Sequence, residues 1–168
     1  MRALVWIIED TWEATVTEAA VFLPRDADIT LLHVASTEAE TLATAARHGL
    51  LGRQPPAHAA AEPLRAISDQ AAQQLLAEAH TRLGRPATLQ ARRGRVEHEV
   101  VAAAASMDIL VLARDGDRAR LGPRSLGPTA RFVVDHAPCR ILLIWPDVAP
   151  ALTTIPPPRV PPPRPPTR

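Results

Sequence analysis

At 168 residues the chain is long enough for one domain with a real core, which argues against a second. A formal net charge of +1 excludes any general attraction to nucleic acid or to a membrane surface. All 19 basic residues are Arg, so the chain cannot carry a Walker A lysine, a Schiff-base amine or the lysine of a response regulator. Ala and Pro are abundant too, so the missing Lys reads as compositional bias and points to no function of its own.

The predicted elements follow in order. Residues 4–8 form a short apolar run that reads as the first strand, ending at Glu9 and Asp10. Residues 10–13 have capping-box spacing, with Asp10 as a candidate N-cap, and Val16, Ala19, Ala20 and Leu23 then define one apolar helix face. Residues 29–34 are the second strand. The segment from 35 to about 62 lacks pattern, and a helix over 37–48 or a mobile excursion both fit it. From Pro63 a helix runs to Leu83 with Leu64, Ile67, Ala71, Leu75, Ala79 and Leu83 on one side, and Gly84 stops it.

Residues 87–92 alternate as a third, less buried strand. A helix follows with Glu97 and Glu99 in its first turn and Val96, Val100, Val101 and Ala104 inward. Residues 108–112 are a fourth strand, 113–127 a loop rich in Arg and Gly, Pro128–His136 a helix, and 140–145 the last strand. Alternating strands and helices with right-handed crossovers make this an α/β domain, a doubly wound five-stranded parallel sheet over residues 1–146. Residues 147–168 are a Pro- and Arg-rich tail, where three Arg and one Asp give +2; it reads as disordered or polyproline II. Residues 159–165 fit an Arg-x-x-Pro-x-x-Pro pattern, which a segment this rich in Pro also meets by chance.

Cys139 is alone, which excludes an internal disulfide and suits a reducing cytoplasm. Ahead of an apolar strand, it reads as a buried small hydrophobe rather than a nucleophile. The apolar run at 3–8 is too short for a signal peptide or a membrane span. His33 and His136 read as structural, and no three of the six histidines have metal-ligand spacing. No serine sits in a nucleophile elbow, and the reading assigns no catalytic residue.

Ligand crevices in such sheets form where strand ends meet helix N-termini, which directs attention to 113–127. The strand ending at Ile7-Ile-Glu-Asp10, Ile29-Thr-Leu-Leu-His-Val34, Gly94-Arg-Val96, Asp108-Ile-Leu-Val-Leu112 and above all His136-Ala-Pro-Cys139 before an apolar strand together resemble the universal stress protein family over residues 2–146. The resemblance implies a Rossmann-like sheet in the order 3-2-1-4-5, as in adenine nucleotide alpha hydrolase-like folds. It also implies homodimers that pair their last strands, here from Arg140 to Trp145, which would cover an otherwise exposed apolar edge.

ATP-binding members of that family carry Gly-x-x-Gly, nine residues, then Gly-Ser/Thr, with an Asp after the first strand. Carried over, the resemblance implies a cofactor site at Glu9 or Asp10, Val34, Ala113, Gly116, Gly127 and Thr129, for ATP with Mg if bound. Ala113 stands at the first Gly, ten residues separate Gly116 from Gly127, and Pro128 takes the Ser/Thr position. Pro128 removes one N–H from the set that would grip phosphate. The expectation is therefore a cytoplasmic, non-catalytic stress-response regulator whose ATP crevice is weak or lost. One alternative is an ATP binder with slow hydrolysis, its phosphates held by Arg114, Arg118, Arg120 and Arg124. A third is an adaptor that presents Pro-rich tails to a partner.

Overall fold

The computed structural model describes residues 1–37, 57–155 and 157. Its strands are β1 (Arg2–Trp6), β2 (Asp28–Ser36), β3 (Thr88–Gly94), β4 (Ile109–Ala113) and β5 (Arg140–Ile144). Between them lie α1 (Trp12–Phe22), α2 (Ala57–Leu83), α3 (Val96–Ala104) and α4 (Pro128–His136), with 3-10 turns at Pro123–Ser125 and Leu152–Thr154. The strands form one parallel sheet in the order β3-β2-β1-β4-β5, so the order implied by the resemblance holds.

Burial on both faces explains the unbroken apolar runs. Along β1, Ala3, Val5 and then Ile7 face one layer, where α1 and α2 contribute Val16, Ala19, Leu76 and Leu83. Leu4 and Trp6 face the other, against Val100 and Ala104 of α3 and Ala130 and Val133 of α4. Period-two alternation with an apolar residue on each side leaves no polar position, as a central parallel strand requires. The central strand β1 pairs Arg2 with Asp28 and Ala3 with Ile109, so β2 and β4 flank it.

Several boundaries shift. β1 begins two residues before the apolar run and ends at Trp6, because the charged Arg2 contributes backbone pairing that hydropathy does not register. The capping box at Asp10 does not form. Thr11 is the N-cap without a side-chain cap bond, and the N–H groups of Thr11 and Trp12 both donate to Ile8 O (3.0 and 2.8 Å). On α1 the exposed Ala20 gives way to buried Thr15, whose hydroxyl donates to Thr11 O at 2.8 Å.

α2 starts at Ala57, ahead of Pro63, in an Ala-rich run with high helix propensity. Its inner stripe is Ala72, Leu76, Ala79 and Leu83; Ile67 is 65% exposed. Helical spacing alone does not say which side of the helix meets the sheet, so Ile67 can hold its place in the pattern and still face solvent. Gly84 at φ +67° stops the helix as expected, its N–H donating to His80 O at 3.2 Å. The expected helix over 37–48 lies, beyond Thr37, outside the described residues.

β3 is the exposed edge the alternation predicts. Arg93 pairs with Asp69 at 2.7 Å and Arg92 with Glu99 at 3.3 Å, charges that guard an edge strand. Among the described residues no helix is long and apolar enough to cross a membrane. Residues 147–155, which composition assigns to the tail, return to the loop after β4: Arg118 pairs with Asp147 at 3.2 Å, and Leu121 N–H donates to Thr154 Oγ1 at 3.1 Å.

Candidate functional site

All five strands point the same way, so their C-terminal ends share one rim. The connections from β1 and β4 leave that rim in opposite directions, and a crevice opens between them. A cleft of about 430 Å³ lies there. Trp6, Ile7 and Ile8 continue β1 into it, Val34 and Ala35 come from β2, and Ala71 and Ala72 of α2 close one side. Glu9, Asp10, Asp115 and Thr129 add its polar groups from the β1 turn, the loop and α4.

Of the expected ligand residues, Glu9, Asp10, Val34 and Thr129 line the cleft together. Ala113, Gly116, Arg118, Arg120 and Gly127 are not among its described lining. Ala113 is fully buried at the end of β4. Gly116 is packed inside the loop: its N–H donates to Ser125 O (3.0 Å), the next N–H, of Asp117, donates to Arg124 O (2.8 Å), and a Cβ on Gly116 would overlap the Arg124 carbonyl.

Two of the loop's arginines, Arg114 and Arg118, and Arg131 of α4 bind nearby protein groups. Arg114 donates to Ser125 Oγ and lies 4.9 Å from the centroid of the Trp145 ring, a cation–π contact. Ser125, fully buried, donates its hydroxyl to Gly122 O at 2.7 Å. Arg118 turns to Asp147, and Arg131 of α4 donates to the carbonyls of Pro123 and Leu126. Each of these guanidinium groups is already committed to a protein acceptor or ring.

Asp115 is the residue that sequence reasoning missed. Its Oδ1 accepts the Gly127 N–H at 2.8 Å, which places a carboxylate at the N-terminus of α4 while the side chain also lines the cleft. Both carboxylate oxygens would stand 3.0 Å from a Cβ on Gly127, so the glycine makes room for Asp115. Pro128 follows with no N–H. In the sequence Asp115 is one acid among loop arginines, and nothing local marks its pairing with a residue twelve positions on.

The remaining titratable groups behave structurally. His33 Nδ1 lies 3.0 Å from Ile7 O, and His136 Nδ1 2.8 Å from Phe132 O, the two rings of the latter pair stacked at 4.0 Å. Cys139 is half-buried against the α3–α4 layer, and burial pushes its thiol up, away from the thiolate a nucleophile needs. Among the described residues no group of three or more His, Cys, Asp or Glu is placed to hold a metal ion.

Comparison with known proteins agrees with this architecture. No curated protein matches the sequence. Among solved structures, the hypothetical protein MJ0577 is 17% identical with a TM-score of 0.60, the alignment covering 86% of this chain and 94% of that one. Universal stress protein UspA from Lactobacillus plantarum is 23% identical with a TM-score of 0.56, over 86% and 97% of the two chains. A universal stress protein in complex with cAMP is 12% identical with a TM-score of 0.56, over 88% and 98%. The family model of the universal stress protein family matches residues 8–144, and the chain belongs to that family.

Proposed function

We propose that this protein is a universal-stress-type regulator of the cytoplasm that works by binding rather than turnover, as a homodimer, with an ATP crevice that is weak or lost. The observation that carries the reading is the charge of the cleft. Its charged side chains, among the described lining, are Glu9, Asp10 and Asp115, all acidic. A triphosphate placed among carboxylates meets like charge without compensation, at a cost that grows as water is excluded.

The residues present do not fit the phosphates of ATP. The Gly127 N–H is taken by Asp115, Pro128 has none to offer, and Arg114 and Arg118 are engaged elsewhere. The apolar walls from Trp6, Ile8, Val34 and Ala72, with Thr129 at one end, suit a flat heterocycle with a hydroxylated sugar. A structural relative, a universal stress protein in complex with cAMP, supports a nucleoside-type ligand at this fold.

Dimerisation through β5 is supported by its place at the edge of the sheet, where residues 141–143 are only partly covered within one chain. The test of the ligand reading is calorimetric titration of the purified protein with ATP and magnesium. Weak or undetectable heat is expected; tight magnesium-dependent binding would overturn the proposal.

A further inference from the structure

We infer that Asp115 sets the ligand class of the cleft. Its carboxylate occupies the anion position at the N-terminus of α4, so the cleft admits an uncharged nucleoside and rejects its phosphorylated forms. The inference rests on the nucleoside reading above and deepens it by naming the side chain that decides between the two.

Three observations converge on that residue. The N-terminus of a helix is a place of positive potential with free N–H donors, the ordinary seat of a phosphate group. Here the first of those donors, Gly127 N–H, is bound at 2.8 Å by Asp115 Oδ1, and the position after it is a proline. Asp115 is not merely near the helix: it lines the cleft, as does Thr129 of the first helical turn. A tethered anion therefore stands where a free one would have to go.

The loop holds it there by construction. Gly116, immediately after Asp115, is locked against residues 124–127 by backbone bonds and by a fit that leaves no room for a side chain. Before it, Arg114 N–H donates to Ile144 O at 3.0 Å, which ties the loop's start to β5. With both neighbours anchored, the Asp115 backbone is held beside the helix end, within reach of Gly127 N–H. The competition with phosphate is thus intramolecular, and it does not dilute away.

The experiment compares wild type with Asp115→Asn and Asp115→Ala. Asparagine keeps an acceptor for Gly127 N–H and removes the charge; alanine removes both, and circular dichroism with thermal melting reports whether each variant folds. Binding of adenosine, of ATP with magnesium, and of inorganic tripolyphosphate is measured by calorimetry at low and at high salt.

Wild type is expected to bind adenosine more tightly than ATP. Both variants should bind ATP and tripolyphosphate about tenfold or more tightly than wild type does, the scale of one like charge removed at close range. Any change in adenosine affinity should be much smaller than the gain for ATP and tripolyphosphate, and that gain should shrink as salt rises. Folded variants that gain neither ATP nor tripolyphosphate affinity would overturn the inference and leave Asp115 as a helix cap alone. If adenosine binds nowhere but the variants gain tripolyphosphate, the anion exclusion stands and the nucleoside reading falls. Should Asp115→Ala fail to fold, Asp115→Asn alone decides.

Discussion

Two glycines in the loop after β4 do work that differs from what their spacing suggests. Gly116 and Gly127 match phosphate-loop positions in sequence, where glycine lets backbone approach a ligand. In the structure the thing approached is protein. Gly116 admits the 124–127 backbone, and Gly127 admits the Asp115 carboxylate. Neither has a positive φ, so the requirement is for space and not for conformation. Gly116→Ala should therefore destabilise the fold by about 1–3 kcal/mol, the usual cost of overpacking. Urea denaturation checks it; a midpoint equal to wild type would show that the loop yields freely. The identities of these glycines were legible in the sequence, but their partners were not, because both contacts close over eight or more residues of irregular chain.

At the scale of elements, the starts of β1 and β4 are clamped together. Asp108 N–H donates to Arg2 O at 2.9 Å, and Arg2 N–H donates to Asp108 Oδ2 at 2.7 Å. That backbone donor, with help from the Arg2 side chain, holds the Asp108 carboxyl below the usual carboxylate range. A pKa lower in the folded state than in the unfolded one means stability that is present above the unfolded value and lost as pH falls through the folded one. Asp108→Asn should be less stable than wild type at neutral pH, and the difference should shrink as pH falls through the lowered folded-state pKa of Asp108. Thermal melts across that range test it; a constant gap would mean that the carboxylate's charge is irrelevant.

The same clamp explains why the first strand was placed two residues late by its apolar pattern. Arg2 earns its place by backbone pairing and a carboxylate partner 106 positions away. By contrast α4 was legible from Pro128–His136 in full, since Pro at the first helical position and the residues after His136 are local signals. α2 fell between the two: its existence and its stop at Gly84 were legible, but its buried face was not. Which side of a long helix meets the sheet depends on where the helix is docked, and Ala72 and Leu76 won over Ile67 and Ala71 on that ground.

For the whole molecule, the unguarded edge is β5. A parallel sheet buried on both faces has two edges. β3 guards one with its ion-paired arginines, while β5 presents Ile141, Leu142 and Leu143 only half-covered. Sedimentation equilibrium at micromolar concentration should return the mass of two chains. A single-chain mass at every concentration would remove β5 pairing from the proposal.

The sequence by itself determined the architecture. Unbroken apolar runs alternating with amphipathic helices allow few arrangements other than a doubly wound parallel sheet, and these patterns are local, written in residues a few positions apart. It also located the crevice, because strand C-termini and the order reversal follow from that architecture. What the tertiary structure alone decided is the chemistry inside: that Asp10 faces the cleft instead of capping α1, that Arg114 and Arg118 turn to Ser125, Trp145 and Asp147, and that Asp115 sits on the helix end. Charge at a site depends on where side chains converge through space, and convergence across irregular loops leaves no periodic trace in the chain.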